Sequence, residues 1–390
     1  MKVAKKISLA IIALISIFYI IGIEPIENAI KNTFLEENNS DIELSMSEEN
    51  LYWYNNLTQA EQKAYRVIHS KIVDFPKKIA INKLSTEELS NVFQALSYDN
   101  PHFLFLGNSS TLESTGYTSY FIPQYTMSKS TYNEYLSAMN NVLAQMSVQT
   151  AGMSDYEKEL YVHDYLVENC QYNDTGSDIR CTAFGALINN QANCEGYSRA
   201  TQFLLNSLGV KCRVVIGDAT DSTGKTEGHM WNVVSIGGKE YNLDVTWDDH
   251  ELKGTTVESK PVSHMYMNIT TSEIAVSHTV SDIKYNDGCV YDDANYYKMS
   301  NIYFDKYDKD TKNAIVDEII KQVSNGGNNI EIKFSSTQAY ENAETQLFKG
   351  QDIYRLISRA NLSSTRKMNT NNISYKNTPE KQIIRIFFNF

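Results

Sequence analysis

The chain has 390 residues, of which 35 are basic and 47 acidic, so its formal net charge is −12. A chain of this length can bury a sizeable core and is expected to form two or three units. With 42% hydrophobic and 21% charged residues it is neither disordered nor fibrous, and its acidic balance excludes a general nucleic-acid binder, which would need a basic face. Five cysteines are too few for a disulfide scaffold, and their odd number leaves at least one without a partner in the chain.

The first 30 residues have the composition of an export signal. Three lysines in the first six residues precede an uncharged apolar run, Ile7–Ile23. This run is slightly longer than the apolar core of a signal peptide and stands at the short limit of a membrane span. We therefore expect an exported chain, with residues 1–30 either a signal peptide or a retained N-terminal membrane anchor that leaves the rest of the chain outside. The polar residues 31–50 predict a tether.

Residues 51–150 have an α+β pattern without a chemical motif. Two capping boxes, Thr58 with Glu61 and Ser85 with Glu88, predict the starts of two helices. These helices are expected to end near Ile72 and at Asp99, strands are predicted at Phe103–Leu106 and Tyr117–Ile122, and a further helix at Lys129–Met146. We interpret this region as a packing or presentation unit.

Residues 151–295 carry the sharpest signals. A third capping box, Ser154 with Glu157, opens a helix, and Gly237-Gly238 between two strand-like runs predicts a hairpin. The elements expected after the first helix are a helix at Asn193–Leu208, a strand at Cys212–Ile216, and hairpin strands at Met230–Ile236 and Glu240–Thr246.

Residues 300–390 predict a small C-terminal α+β domain. Its expected elements are a helix at Thr311–Val323, a strand with apolar Ile330, Ile332 and Phe334, a helix at Gln338–Ala360 with a break at Gly350, and a last strand through Ile384, Ile386 and Phe388.

Cys194 is the candidate nucleophile. It follows Asn193, a suitable N-cap residue, and therefore lies on the first turn of a predicted helix. At this position the helix dipole and the unpaired backbone N–H groups favour a thiolate and can receive an oxyanion. Gly196 is expected to leave room for substrate beside the sulfur. The alternative is an inert, buried cysteine, and the choice between the two depends on the partners of the thiol.

A thiolate nucleophile needs a histidine base and a group that orients the histidine. His229 stands one residue before the first hairpin strand, and Asp244 lies on the returning strand. A turn at Gly237-Gly238 makes Asp244 the diagonal neighbour of His229, whereas a turn at Ile236-Gly237 places the two residues directly opposite each other. Both registers put the imidazole and the carboxylate on one face of the sheet, so the sequence predicts a triad of Cys194, His229 and Asp244.

The order of these three residues, together with the motifs around them, resembles the transglutaminase-like superfamily, whose fold is of the papain type. The resemblance covers roughly residues 154–280. Its motifs are Glu157-Lys158-Glu159-Leu160 with His163-Asp164-Tyr165-Leu166, then Cys194-Glu195-Gly196-Tyr197-Ser198, Gly228-His229-Met230-Trp231-Asn232-Val233 and Tyr241-Asn242-Leu243-Asp244-Val245-Thr246-Trp247-Asp248.

The resemblance implies an α+β fold in which a nucleophile helix packs on an antiparallel sheet, with α+β flanking regions. It implies that Cys194 is the nucleophile, His229 the general base and Asp244 the residue that orients it. Tyr172 is similar to an aromatic residue of the family upstream of the nucleophile, which helps to form the oxyanion hole. Trp231 is expected beside the substrate cleft, where it shields and packs the hairpin.

We expect no metal and no cofactor. Animal transglutaminases use calcium, but Asp305, Asp308 and Asp310 lack the glycine and the closing glutamate of a calcium loop. Histidines and cysteines elsewhere lack the spacing of zinc ligands, and we interpret His264 and His278 as structural. The four cysteines other than Cys194 remain candidates for disulfides outside the cell.

The predicted function is that of an exported thiol enzyme of the cell envelope, which acts on amide bonds of proteins or cell-wall peptides through an acyl-thioester. Transfer to water makes it a cysteine peptidase-like hydrolase, and transfer to an amine makes it a protein-crosslinking transglutaminase. We favour hydrolysis because a thioester exposed to water hydrolyses by default and no feature of the sequence guides an amine. A non-catalytic cell-surface binding or scaffold protein with the same fold is the other alternative. The expected partners are a protein or peptide substrate and, if the N-terminal segment is retained, the membrane, but no nucleic acid.

Overall fold

A computed structural model describes residues 51–115, 118–250, 262–281, 288–370 and 373–390. The predicted export segment and the tether lie outside these ranges. Within them, no helix has both the length and the apolar character needed to cross a membrane. All five cysteines are described and all are free thiols, so none of the candidate disulfides is formed.

The chain divides into two compact units, with the boundary after Ala138. The elements of the first unit, together with the helix that contains the boundary, are α1 (Tyr52–Asn55), α2 (Gln59–Ile72), β1 (Ile79–Ile81), α3 (Thr86–Asp99), β2 (Leu106–Thr115), β3 (Thr118–Tyr125) and α4 (Lys129–Gln149). The strands form an antiparallel sheet in the order β1-β3-β2.

Local signals predicted the longer helices α2, α3 and α4 correctly, missed the short helix α1, and predicted one strand wrongly. Both capping boxes form, at the starts of α2 and α3. The strand expected at Phe103–Leu106 is wrong, because residues 103–105 have turns and irregular backbone and β2 begins only at Leu106. The backbone N–H of Phe103 donates to the carbonyl of Asn100 in a turn, and the apolar side chains of this segment are buried without belonging to a sheet.

The second unit begins with the region that resembles the papain-type fold. Its elements are α5 (Asp155–Asn169), β4 (Gln171–Tyr172), a 3-10 turn (Asp178–Cys181), α6 (Ala183–Leu187), β5 (Gln191–Ala192), α7 (Cys194–Ser207), β6 (Cys212–Thr220), β7 (Thr226–Ile236), β8 (Lys239–Leu243), α8 (Val245–His250), β9 (Met267–Ile269), α9 (Thr271–Ile274) and β10 (His278–Val280). Five strands form an antiparallel sheet in the order β10-β6-β7-β8-β9, and α7 packs against β6 and β7. The expected α+β architecture, a helix on an antiparallel sheet, is confirmed.

The predicted hairpin forms with the turn at Gly237-Gly238. Ile236 pairs with Lys239 and Val233 with Asn242, so the alternative turn at Ile236-Gly237 is wrong. The second strand is shorter than expected, because it ends at Leu243 and residues 245–250 are helical. Asp244 therefore lies between a strand and a helix, and the cross-strand position predicted for it does not exist.

The rest of the second unit adds a second sheet and three longer helices. Its elements are α10 (Tyr296–Met299), β11 (Tyr303–Phe304), α11 (Lys309–Ser324), β12 (Asn329–Phe334), α12 (Thr337–Glu344), a π-helical turn (Thr345–Lys349), α13 (Asp352–Ser363), β13 (Ile373–Thr378), a 3-10 turn (Pro379–Lys381) and β14 (Ile383–Phe388). The sheet order is β11-β12-β14-β13, and the predicted helix break at Gly350 is present. Within the second unit, a continuous hydrophobic core joins Trp231 and Val233 of the five-stranded sheet to Ile332 and Phe388 of the four-stranded sheet.

Candidate active site

The nucleophile helix begins at the candidate nucleophile. Asn193 is the N-cap of α7, and its side-chain oxygen accepts the backbone N–H of Gly196 across 3.2 Å. Cys194 is the first helical residue and is half-buried. Backbone N–H groups of a first helical turn have no partner within the helix, so the sulfur lies where a helix attracts negative charge.

Two hydrogen bonds fix α7 against the strand that carries the candidate base. The hydroxyl of Ser198 donates to the backbone carbonyl of Met230 across 2.8 Å, and the side-chain amide of Asn232 donates to the carbonyl of Ser198 across 3.0 Å. All three residues are buried. The distance between Cys194 on the helix and His229 on β7 is therefore set by buried contacts and not by a loop.

The structure brings the imidazole of His229 between a thiol and a carboxylate. Nε2 of His229 lies 2.7 Å from Oδ2 of Asp244, and the side chain of Cys194 is near enough to the same ring to raise its pKa. His229 is only 9% exposed and Asp244 1%. This is the arrangement that general-base activation of a thiol requires.

The electrostatics of this group favour a charged imidazole. Burial alone lowers the pKa of His229, but the charge and the hydrogen bond of Asp244 and the hydrogen bond with Cys194 outweigh burial and raise that pKa to about 10. Burial raises the pKa of Asp244, but the charge and the hydrogen bond of His229, with a second hydrogen bond from His278, hold it well below its ordinary value. An ionised Asp244 beside a protonated His229 places a positive charge next to the side chain of Cys194.

A residue that sequence reasoning missed completes the surroundings of Asp244. Nε2 of His278 donates to Oδ2 of Asp244 across 3.0 Å, and the hydroxyl of Ser277 lies 2.8 Å from Nδ1 of the same ring. The backbone N–H of Trp247 donates to Oδ1 of Asp244 across 3.1 Å. Both carboxylate oxygens are thus held. No sequence motif links His278 to Asp244, because His278 lies 34 residues away on an edge strand of the sheet, and we therefore interpret it from sequence only as structural.

Trp231 lies in the core behind the imidazoles and not on an open cleft. Its ring stacks on His229 at a centroid distance of 6.1 Å and packs edge-on against His278 at 5.2 Å. It is fully buried, and its indole N–H donates to Oδ1 of Asn242. The expectation that Trp231 lies beside a substrate cleft is therefore wrong, whereas the expectation that it packs the hairpin agrees with its position.

Gly196 has a different reason to be glycine from the one predicted. A Cβ atom at this position would lie 2.2 Å from the carbonyl oxygen of Arg180 and 2.8 Å from the Cβ of Ala192. The space beside Gly196 is thus filled by the 3-10 turn and by β5, which leaves no room for substrate there. Glycine allows this loop to pack directly on the start of the nucleophile helix.

Tyr172 lies on the strand next to the nucleophile. β4 and β5 are parallel, and Tyr172 pairs with Ala192, two residues before Cys194. The tyrosine is half-buried, and burial followed by the charge of Cys194 raises its pKa to about 12, so the phenol stays protonated at neutral pH and remains a hydrogen-bond donor. This placement is compatible with the predicted contribution of Tyr172 to an oxyanion hole.

Two groups of described residues bring three potential metal ligands within 4.8 Å of one another. One consists of His229, Asp244 and His278, and the other of His163, Asp164 and His264. The first group belongs to the site above. The second belongs to α5 and the segment before β9, and its residues do not have the sequence spacing of a known metal-ligand motif.

Comparison with known proteins gives a family for part of the chain. Residues 144–245 match the model of the transglutaminase-like superfamily. No curated protein matches the chain significantly. Similar solved structures include a TGase (16% identity, TM-score 0.26, 44% of this chain and 51% of that chain covered) and a candidate cysteine protease from Cytophaga hutchinsonii (13% identity, TM-score 0.24, 35% and 62% covered). A candidate protease from Parabacteroides distasonis is also similar (10% identity, TM-score 0.21, 39% and 40% covered). Each alignment thus spans less than two thirds of the other chain.

Proposed function

We propose that the chain is a thiol enzyme that acts on amide bonds through Cys194, His229 and Asp244. The match of residues 144–245 to the model of the transglutaminase-like superfamily supports this proposal. The observation that carries this proposal is the position of the His229 ring, whose Nε2 lies 2.7 Å from a buried carboxylate oxygen and whose pKa is raised by the neighbouring side chain of Cys194 as well as by that carboxylate.

In the proposed reaction His229 holds the proton of the Cys194 thiol, so the sulfur attacks as a thiolate paired with a charged imidazole. The thiolate attacks the carbonyl carbon of the amide, and the oxyanion that forms is held by the backbone N–H of Cys194 and the hydroxyl of Tyr172. His229 then returns the proton to the leaving nitrogen, which departs as an amine and leaves an acyl-thioester on Cys194. Asp244 keeps the imidazole in one orientation throughout and stabilises its charged form.

The acceptor of the acyl group decides between two activities. Water, deprotonated by His229, releases the acid and makes the protein a cysteine peptidase-like hydrolase, whereas a lysine amine forms a new amide and makes it a transglutaminase. We propose hydrolysis, because water reaches any half-exposed thioester without a dedicated site.

We further propose that the substrate is a protein or a cell-wall peptide outside the cytoplasm. The support for this location is the lysine-flanked apolar run at Ile7–Ile23, which has the pattern of an export signal. The run either is removed on export or holds the chain at the membrane.

The experiment compares the full chain with Cys194→Ala and with a matched cysteine control. Cys181→Ser is the control, because Cys181 is also half-buried and serine keeps an acceptor for the side chain of Asn193. We expect iodoacetamide to modify Cys194 at least tenfold faster than Cys181 at neutral pH, and Cys194→Ala to abolish amide cleavage while Cys181→Ser retains it.

Two results would change the proposal. If Cys194 reacts no faster than Cys181 and its removal alters neither cleavage nor crosslinking, the protein is a binding or scaffold protein and the enzyme proposal fails. If a labelled primary amine is incorporated into a protein substrate in preference to hydrolysis, the activity is that of a transglutaminase.

A further inference from the structure

A second group of titratable side chains lies away from Cys194 and takes no part in the proposed reaction. Nδ1 of His163 lies 2.9 Å from Oδ1 of Asp164, and Nε2 of His264 lies 2.8 Å from the same oxygen. The three ligand atoms, two imidazole nitrogens and one carboxylate oxygen, all lie within 4.8 Å of one another. We refer to these three residues as the His163 cluster.

Further contacts, away from Asp164, fix the orientation of the two imidazoles of the His163 cluster. Nε2 of His163 lies 3.1 Å from Oδ2 of Asp248, and both oxygens of Asp248 accept the backbone N–H of Tyr266. The ring of His264 stacks on Tyr296 at a centroid distance of 3.7 Å. A carboxylate on the outer nitrogen of a histidine fixes the tautomer and the direction of the inner nitrogen, as it does for histidines that bind metal ions.

Both nitrogens of His163 face carboxylate oxygens, Nδ1 that of Asp164 and Nε2 that of Asp248. His264 faces the same oxygen of Asp164 through Nε2. A divalent cation placed between these three side chains would replace two hydrogen bonds by bonds to the metal.

A cavity borders the cluster at Asp164. It has a volume of about 370 Å³ and lies along α5, where Asp164 forms part of its wall together with Glu157, Glu168, Tyr161 and Tyr165. The side chain of Asp164 is 36% exposed, whereas that of His163 is fully buried. Asp164 is thus the member of the cluster that solvent reaches.

We propose that His163, Asp164 and His264 bind one divalent transition-metal ion through Nδ1, Oδ1 and Nε2. Two imidazoles and one carboxylate suit zinc, iron, cobalt or nickel rather than calcium or magnesium. Binding releases the Nδ1 proton of His163 to solvent and places the proton of His264 on its Nδ1. Zinc bonds of about 2.0–2.1 Å in tetrahedral geometry separate ligand atoms by roughly 3.3 Å, so the cluster must open by only about half an ångström.

The bound ion would brace the region around Asp244. The His163 cluster joins α5 to the segment before β9, and His163 reaches α8 through Asp248. Because α8 follows Asp244 directly, a metal ion here ties three segments together beside the proposed catalytic carboxylate without contacting the thiol.

The test titrates the metal-free full-length chain with Zn²⁺ against a chromophoric chelator, and with Co²⁺ followed by visible absorption. Every protein carries Cys194→Ser, which removes the thiolate as a competing ligand. We expect one equivalent of tightly bound metal and a Co²⁺ spectrum of four or five coordination without a sulfur charge-transfer band. Asp164→Asn and His264→Gln should each weaken Zn²⁺ binding more than tenfold, since each removes a direct ligand.

Two control variants locate the site and protect the test from misfolding. Glu168→Gln changes the cavity wall but no ligand, and His278→Gln changes the other group of potential ligands, so both should bind Zn²⁺ within about threefold of the parent. Melting temperatures in the presence of chelator show whether each variant is folded. The Co²⁺ spectrum of the parent protein tests the proposal even if every cluster variant misfolds. Absence of stoichiometric binding by the parent, unchanged binding in both ligand variants, or loss of binding in His278→Gln alone would overturn the proposal.

Discussion

Replacement of His278 distinguishes a positioning role for this residue from a purely structural one. His278 reaches the same oxygen of Asp244 as His229 does, at 3.0 Å against 2.7 Å. His278→Leu removes the donor and keeps an apolar side chain among the surrounding aromatic rings, of which Trp247 lies 4.6 Å away between centroids. Asp244 then retains its hydrogen bonds with His229 and with the backbone N–H of Trp247.

The expected size of the effect follows from the charge of the acceptor. A hydrogen bond to a charged group contributes about 1.5–3 kcal/mol, and each 1.4 kcal/mol or so is a factor of about ten in rate. If this bond holds Asp244 against His229, kcat for amide cleavage should fall roughly 10- to 100-fold. KM should change little, because His278 is buried and cannot meet a substrate.

The loss of His278 should also shift the pH dependence of kcat/KM in a defined direction. Once Asp244 no longer shares its charge with His278, its attraction for a proton on His229 increases, and the pKa of that imidazole rises further above its ordinary value. Catalysis requires His229 to hold the proton that it returns to the leaving nitrogen, so the alkaline limb of kcat/KM should move to higher pH in His278→Leu.

The assay measures amide cleavage and the iodoacetamide reaction of Cys194 between about pH 5 and 12, alongside urea unfolding. His278→Gln keeps an amide donor and should recover much of the lost rate. His69→Gln, a buried histidine of the first unit, is the control for the loss of an imidazole from the interior. If His278→Leu leaves both pH profiles in place and loses only as much stability as the control, the reasoning is refuted and His278 is a packing residue.

Three further predictions concern other parts of the molecule. Asp244→Asn removes the charge that raises the pKa of His229, so kcat should fall by about 10⁴-fold, as for the equivalent change in a serine-protease triad, and slower alkylation of Cys194 at neutral pH would show the lost thiolate. Gly196→Ala places a Cβ against the carbonyl of Arg180 and should cost about 1–3 kcal/mol in urea unfolding, whereas Gly228→Ala, with open space around it, should cost less; equal losses would contradict the packing argument. Burial raises the pKa of Asp99 to about 7, so the folded chain binds its proton more tightly than the unfolded chain, and the stability that Asp99 contributes is present below about pH 4 and lost as the pH rises through 7. The backbone amides of Trp53 and Tyr54 donate to this carboxylate. The free energy of opening that hydrogen–deuterium exchange gives for these two amides should fall between pH 5 and 8 in the natural chain but not in Asp99→Asn.

Signals confined to a few residues were sufficient for much of the fold. The capping boxes at Thr58, Ser85 and Ser154 each satisfy two backbone groups within four residues, so no distant contact is needed to start those helices. The turn at Gly237-Gly238 is local in the same way, since both residues have positive φ and the hairpin register follows from the turn.

The surroundings of Asp244 show what the sequence could not supply. Apolar alternation continues through Tyr241, Leu243 and Val245, which favours a longer strand, but the side chain of Asp244 accepts the N–H of Trp247 three residues on and starts a helix instead. Asp244, three residues before that amide, is a local helix-cap signal in the sequence, and it outweighs the apolar alternation that favours a strand. The contacts of His278 and His264 had no such signal, because they join residues 34 and 100 positions apart.

The short helix α8 explains why the chain concentrates acidic residues directly after its second hairpin strand. Asp244 at its start lies 2.7 Å from Nε2 of His229, Asp248 lies 3.1 Å from Nε2 of His163 on α5, and Asp249 accepts the hydroxyl of Tyr197 on α7 across 2.5 Å. Each of these carboxylates is at least 97% buried, so each depends on its partners to offset the loss of hydration. The short helix α8 and the aspartate before it thus connect His229, α7 and the His163 cluster. We expect a change in any one of these contacts to alter the distance and orientation between Cys194 and His229.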